Sequence, residues 1–91
     1  MARYPFDLGI NLSGYARLLR KRRMGKVSFW TVRFRQRLVQ LILEAHRLDD
    51  YDAVSKTPIG SSVWLDGVTV LSNSKEFSLL CSSVTDRKSV V

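Results

Sequence analysis

Apolar and polar residues alternate along the first third of the chain with the period of a β-strand. The alternation begins at Ile10 and runs through Leu12, Ala16 and Leu18, with Tyr15 and Arg17 on the opposite side. Because successive side chains of a strand point to opposite faces, this pattern predicts a strand with one buried face. Residues 1–9 contain the breakers Pro5 and Gly9 and are predicted to form an irregular lead-in.

A second strand is predicted over residues 27–34, "VSFWTVRF", which are rich in β-branched and aromatic types. Trp30, Val32 and Phe34 share one face of this strand, and that face is suited to a core. The other face is predicted to be wet and able to contact a ligand, and it comprises Val27, Phe29, Thr31 and Arg33.

Residues 37–44, "RLVQLILE", fit two kinds of element. As a strand, they would turn Val39, Leu41 and Leu43 inward and Gln40 and Glu44 outward. As a helix through "RLVQLILEAHR", they would form an apolar stripe of Leu38, Leu41, Ile42 and Ala45. The start of the segment favours a strand, and its end stays open between the two.

The second half of the chain contains one predicted helix and two predicted strands. "LDDYDAVSKTP" predicts a short helix capped by an Asp and ending before Pro58. "SSVWLDGVTVL" predicts a strand with a bulge or sharp bend at Gly67. After a turn at "SNSK", the last strand, "EFSLLCSSV", is predicted to point Phe77, Leu79 and Cys81 inward and Glu76 and Ser78 outward.

These elements predict an all-β fold with one small helix. Five strands with a helix between the third and fourth match the layout of a five-stranded OB-fold Greek-key barrel. The barrel is predicted over residues 10–88, with residues 89–91 as a C-terminal tail.

Positive charge is concentrated in one part of this small protein. The 91 residues carry a formal charge of +7, nine of the fifteen Lys and Arg lie between residues 17 and 37, and no Asp or Glu occurs from residue 8 to 43. Such a cluster predicts a polyanionic partner, nucleic acid first, although a solvated face is the alternative. The basic run is predicted to be a phosphate-holding loop between strands 1 and 2, formed by Arg17, Arg20, Lys21, Arg22, Arg23 and Lys26.

The residues that could support other chemistry are few. The single cysteine, Cys81, excludes an internal disulfide and lies in an apolar run typical of a buried small residue, which suits a reducing compartment. His46 has no Cys or His partner at ligand spacing, so no metal is expected. No Ser-His-Asp arrangement is visible. We expect no catalytic residues, no cofactor, no small-molecule substrate, no membrane segment and a cytoplasmic location.

Four segments together resemble the anticodon-binding domain of bacterial-type class II lysyl-tRNA synthetases: "RRMGKVSFWTV", "RLVQLIL", "IGSSVWLDGV" and "SKEFSL". The resemblance runs from about Leu12 to Val84. It implies that Phe29 is the aromatic on which an anticodon base stacks, and that Gln40 and Glu76 each read a base edge. All three fall on predicted outward faces, and a π-face and an amide suit these roles. Tyr15 and Arg33 share an outward face and could support the bound strand.

The chain also departs from the family pattern. The glycine-containing turn between strands 2 and 3 is "RFRQR", the Gly-Asp before strand 4 is Gly60-Ser61, and the glycine before the final Glu is Lys75. The catalytic domain of a synthetase has no counterpart, so we expect a free-standing module, with a fragment as the alternative.

Three functions follow as hypotheses. The first is a non-catalytic RNA-binding module, with tRNA as the leading partner. The second is an OB-fold adaptor or subunit of a larger protein or ribonucleoprotein assembly, without base reading. The third, a helix-based DNA binder, requires residues 36–47 to be helical.

Overall fold

The structure, a computed structural model, describes residues 7–72 and 75–86. Its strands are β1 (Asn11–Met24), β2 (Val27–Phe34), β3 (Arg37–Glu44), β4 (Ser62–Leu71) and β5 (Phe77–Asp86), and its helix α1 (Tyr51–Ser55) lies between β3 and β4. Residues 1–6 of the predicted lead-in, residues 73 and 74 of the "SNSK" turn and the tail 89–91 lie outside the described residues.

The strands close into a barrel in the order β1-β2-β3-β5-β4. Neighbouring strands are antiparallel except β3 and β5, which are parallel, and β4 returns to pair with β1. Closure leaves no long open edge, which is how an OB-fold satisfies its backbone. The predicted five-stranded barrel with its helix between strands 3 and 4 is confirmed. The helical alternative for residues 36–47 is wrong, because residues 37–44 pair with β2 and residues 40–42 also pair with β5.

The core follows the predicted alternation on β2 and β3. Trp30, Val32 and Phe34 are fully or almost fully buried, as are Val39, Leu41 and Leu43. One prediction about facing is wrong, because Ile10 lies before β1 and is exposed. Ser78 lies on the outer face as predicted, beside its β3 partner Gln40, but it is completely buried there.

The lead-in is tied to the barrel from residue 7 onward. The amide of Gly9 donates to the carbonyl of Thr69, and the Thr69 hydroxyl donates to the carbonyl of Asp7 and accepts from the amide of Ile10. One buried side chain thus satisfies two backbone groups of a segment without regular structure.

Helix α1 is held by its one buried residue. Tyr51 places its hydroxyl 2.8 Å from the buried Ser28 hydroxyl and donates to the carbonyl of Gly25. Asp50 stands at the N-cap position, but its side chain makes no capping hydrogen bond, so the prediction of an Asp cap is right in position and wrong in mechanism. A five-residue helix is too short to be stable alone, and tertiary packing holds it in place.

The basic run is a strand for most of its length. β1 continues to Met24 and pairs with β2 up to Met24–Val27, so the turn contains only Gly25 and Lys26. The predicted phosphate-holding loop is therefore wrong as a local structure. A register shift between Leu18 and Arg20 leaves Leu19 without a partner and reverses the facing of every residue after it.

Cys81 is completely buried, as predicted for a small apolar residue. Burial, with a smaller contribution from Asp66, raises the pKa of its thiol from 9.0 to about 12. The thiol is protonated at neutral pH, so Cys81 is a packing residue and a poor nucleophile.

The turns that depart from the family pattern adopt backbone conformations that glycine favours. Arg35 and Gln36 join β2 to β3 with φ of 52° and 65°, and Lys75 has φ of 63°. Positive φ at both central residues of a two-residue hairpin is typical of a type I′ turn, for which Asn-Gly is preferred. The chain therefore forms the turn the fold requires with residues that adopt it at a cost.

We expect Gln36→Gly to stabilise the protein by roughly 0.5–1 kcal/mol, because relief of the left-handed strain exceeds the added entropy of the unfolded chain. Urea unfolding measures this as a higher midpoint at an unchanged slope. Arg37→Gly, one residue later at an ordinary φ, is the matched control and should lower the midpoint. Equal destabilisation by both substitutions contradicts the strain argument.

Candidate nucleic-acid interface

An open groove of about 690 Å³ crosses the outer surface of β2, β3 and β5. Phe29, Gln40 and Glu76, which come from three separate parts of the sequence, all line it. Arg22 of β1 lines the same groove, and Ile42 and Leu80 contribute apolar walls. The three residues implied by the resemblance are therefore brought together.

The side chain of Gln40 is held in place by Ser78, its register partner on β5. Its side-chain amide nitrogen donates to the Ser78 hydroxyl at 2.8 Å, and that hydroxyl lies 3.3 Å from the carbonyl of Glu76. The Gln40 carbonyl oxygen and one amide hydrogen remain for another partner. A fixed amide with one acceptor and one donor can bond two neighbouring atoms of a base edge.

Phe29 lies half-buried in the groove with a cation above it. The Arg22 guanidinium carbon is 5.4 Å from the centre of the Phe29 ring, and the two residues are direct cross-strand partners. Such a contact between exposed groups contributes about 0.5–1 kcal/mol, whereas a stacked base contributes about 1–3 kcal/mol. An arriving base can therefore displace Arg22 from that face of the ring.

Glu76 immediately precedes β5, at the exposed rim of the groove. Its backbone amide donates to the Ser72 hydroxyl at 3.1 Å, and its carbonyl accepts from the Ser72 amide at 2.9 Å. Lys75 beside it takes the positive φ described above. Backbone bonds to Ser72 thus fix the position from which the Glu76 carboxylate extends.

The bulge at Leu19 divides the predicted phosphate-binding residues into two groups. On the outer face of β1 and β2, Arg17 pairs with Arg33, Arg20 with Thr31, and Arg22 with Phe29. We call Arg17, Arg20, Arg22 and Arg33 the outer arginines. All four are exposed, and none forms an ion pair with a carboxylate in the part of the chain that the structure describes.

The other cations of the run lie on the side of helix α1. The Lys21 ammonium donates to the carbonyls of Ser55 and Thr57, at 3.0 and 2.6 Å. Arg23 pairs with Asp52 at 3.2 Å and stacks over the Tyr51 ring at 4.9 Å. Lys26 lines a hollow that also contains Asp49, Asp50 and Asp52.

These contacts give Lys21 and Arg23 partners within the protein. Lys21 satisfies two carbonyls where α1 ends, which is a structural task. Sequence reasoning could not separate them from the outer arginines, because a uniform strand alternation would have placed Arg17, Lys21 and Arg23 on one face.

The sequence analysis did not identify Trp64 as a surface residue. In the structure it is paired with Tyr15 on the outer face. The two are cross-strand partners of β4 and β1, with ring centres 4.7 Å apart in an edge-to-face arrangement. Tyr15 is 45% exposed and Trp64 39%. The signal in the sequence was the alternation of "SSVWLDG", which places Val63 and Leu65 inward and Trp64 outward.

The site offers recognition chemistry. Within residues 7–72 and 75–86, no group of three or more His, Cys, Asp or Glu side chains could hold a metal ion. No helical segment in that same part of the chain has the length and apolarity needed to span a bilayer. The groove presents the aromatic face of Phe29, the fixed amide of Gln40, the carboxylates of Glu44 and Glu76, and the guanidinium of Arg22.

The fold and groove place this chain among the OB-fold barrels. It is similar to lysine–tRNA ligase from Prochlorococcus marinus, with 43% identity over 51 residues that cover 56% of this chain and 10% of that protein. The resemblance to lysyl-tRNA synthetases that the motifs indicate is thus confirmed. The chain spans about a tenth of the length of this curated relative. No protein-family model matches the chain.

Solved structures support the same fold. Asparaginyl-tRNA synthetase from Pyrococcus horikoshii, complexed with asparaginyl-adenylate, superposes with a TM-score of 0.75 at 17% identity, over 90% of this chain and 20% of that chain. A second structure of the same enzyme gives a TM-score of 0.77 at 16% identity, with the same coverage. At this identity the likeness concerns the barrel itself.

Proposed function

We propose that this chain is a non-catalytic RNA-binding module that binds tRNA, or another RNA with an accessible single-stranded loop, in the groove and along the outer arginines. The observation that carries the proposal is the convergence of Phe29, Gln40 and Glu76 in one groove. The resemblance to a lysine–tRNA ligase supports it, because an anticodon-binding domain of that family uses these three residue types at these places. A cytoplasmic location, where tRNA is available, is part of the proposal.

The groove and the arginines have separate tasks in this proposal. Phe29 stacks on one unpaired base, which tolerates any base because every base has a π-face. Gln40 and Glu76 bond base edges, which selects among bases because a mismatch leaves a donor or acceptor unpaired. The outer arginines contact phosphates and supply affinity without sequence information.

Arg22 has two roles that oppose each other. Without RNA its guanidinium covers Phe29; with RNA it can leave the ring for a phosphate. Its removal therefore uncovers the stacking platform while deleting a phosphate contact. Lys21 and Arg23 are left out of the proposed contacts because both already bond to groups of the protein on the side of α1.

We expect the salt dependence of RNA binding to separate the outer arginines from their sequence neighbours. For a single-stranded ligand, each lost phosphate contact should reduce the slope of log K against log salt by roughly 0.7. Arg20→Gln and Arg22→Gln should each do so, and Arg22→Gln should lose less affinity because Phe29 is uncovered. Fluorescence anisotropy with a labelled RNA stem-loop at several salt concentrations measures both quantities.

Arg23→Gln is the matched control, since it removes the same charge from the same strand on the side of α1. Its slope should stay close to that of the unmodified protein. Equal slope changes for the Arg20, Arg22 and Arg23 variants would mean that the net positive charge attracts RNA without specific phosphate contacts. A protein that binds no RNA, and with which no RNA copurifies, favours the adaptor function.

A further inference from the structure

The outer face continues beyond the groove into a surface that the base-reading residues do not use. From Phe29 the outward residues of β2 are Thr31 and then Arg33, and Arg33 is the cross-strand partner of Arg17. Two residues before Arg17 is Tyr15, whose own partner on the other side is Trp64. At about 3.3 Å per residue, this path from Phe29 to Tyr15 covers roughly 20 Å.

Two cations stand directly opposite each other on this path. Arg17 and Arg33 are register partners on antiparallel strands, both are exposed, and neither forms an ion pair with a carboxylate of the described residues. Like charges in this arrangement destabilise a sheet, because their side chains lie about 5 Å apart. An anion between them would convert the repulsion into attraction, and a phosphate accepts the forked donors of two guanidinium groups.

Beyond the arginine pair, two aromatic rings meet edge to face. Tyr15 is 45% and Trp64 39% exposed, so both rings present aromatic surface on the outer face. Rings beside cations are what a single-stranded nucleic acid needs: π-faces for bases and positive charge for the backbone. Asp66, two residues beyond Trp64 on the exposed side, puts a negative charge at the far end and so limits how far a phosphate chain extends.

We propose that Tyr15 and Trp64 form a second base-stacking platform. Arg17 and Arg33 then bind a phosphate of the RNA backbone between the groove and this platform. A bound single strand then runs along β1 and β2, with one end read at Gln40 and Glu76 and the other stacked without reading. This inference rests on the proposed function and adds the path and the length of RNA that the module takes. At roughly 3.4 Å per nucleotide of a stacked strand, about 20 Å corresponds to about six nucleotides, within the roughly 4–16 nucleotides that an OB-fold binds.

RNA length tests the proposal. Oligonucleotides of about 2 nucleotides are too short to span the roughly 20 Å path and fill the groove only, whereas those of about 12 nucleotides also reach the platform. Tyr15→Ala/Trp64→Ala should weaken binding of the long oligonucleotide on the order of tenfold or more and leave the short one unchanged. Phe29→Ala should weaken both. Tyr15→Phe/Trp64→Phe keeps the π-faces and should restore binding of the long oligonucleotide.

Two further measurements guard against a misfolded variant and against a different partner. Arg33→Gln should raise the melting temperature of the protein without RNA, because the repulsion with Arg17 is removed. The same substitution should weaken binding of the long oligonucleotide. Addition of the long oligonucleotide should quench the exposed Trp64, with the buried Trp30 as an unchanged background.

The outcomes separate the two proposals. If Phe29→Ala weakens binding of both oligonucleotides and Tyr15→Ala/Trp64→Ala weakens binding of neither, the proposed platform is wrong and the RNA-binding function stands. If Phe29→Ala weakens binding of neither oligonucleotide, the proposed function itself is wrong. If the double variant binds RNA normally but loses self-association seen by sedimentation in the unmodified protein, Tyr15 and Trp64 form a protein contact and the platform is overturned.

Discussion

We expect Phe29→Ala to weaken RNA binding by on the order of 1–3 kcal/mol for every RNA loop sequence tested. The ring lines the groove and is the cross-strand partner of Arg22. Its loss removes the π-face on which an unpaired base stacks, and stacking does not distinguish bases. Equilibrium binding to a panel of stem-loops that differ only in the loop measures the effect as a uniform shift.

Gln40→Ala is the matched comparison within the same groove. It should cost less in total but remove differences among the loop sequences, because an edge-reading hydrogen bond selects a base. Ser78→Ala should reproduce part of that loss, since the Ser78 hydroxyl accepts the 2.8 Å bond that fixes the Gln40 amide. If the unmodified protein binds all loops equally well, Gln40 reads nothing, and the adaptor function explains the chain better.

The second large effect concerns stability, at the bulge where β4 meets β5. We expect Gly67→Ala to destabilise the protein by about 2–3 kcal/mol, in the upper part of the range for overpacked sites. A Cβ at this position would lie 2.8 Å from the carbonyl oxygen of Leu80 and 3.1 Å from the Cα of Cys81. Both are backbone atoms of a paired strand, so neither can move aside as a side chain could.

Urea unfolding followed by tryptophan fluorescence measures this loss, and Asp66→Ala is the control at the adjacent, exposed position. The control should change stability by less than about 0.5 kcal/mol. The register locates the crowding: Asp66 pairs with Ser83 and Gly67 with Cys81, so Ser82 is the extra residue of a bulge at this point of β5. An unchanged midpoint for Gly67→Ala would mean that the bulge can open without cost.

Much of the barrel was predictable because its strands carry one buried face each. In β2 and β3 the strict alternation around Trp30 and Leu41 correctly predicted which side chains point into the core, since a slip of one residue would expose all of them. Gly67 was predicted as a bulge for a local reason, the lack of a side chain in a strand interior. Cys81 was predicted buried from its apolar neighbours.

Other features depended on partners far away in the chain. Ser78 does face outward, as the alternation of β5 predicted, but its complete burial depends on parallel pairing with β3, which places it against Gln40. The basic run was predicted as a loop from its composition, but β2 supplies hydrogen-bond partners up to Met24, and the run is a strand. Asp50 occupies a capping position without capping, because contacts of Tyr51 hold the helix instead.

The sequence by itself determined the fold class and the outward faces of Phe29, Gln40 and Glu76, because strand period is a local property of a chain. The resemblance to lysyl-tRNA synthetases then marked these three as candidate base-binding residues. Tertiary structure alone decided which cations face the groove. The bulge at Leu19 turns Arg20 and Arg22 outward and Lys21 and Arg23 toward helix α1. A change of register is set by pairing with another strand, and no pattern within residues 17–26 records it.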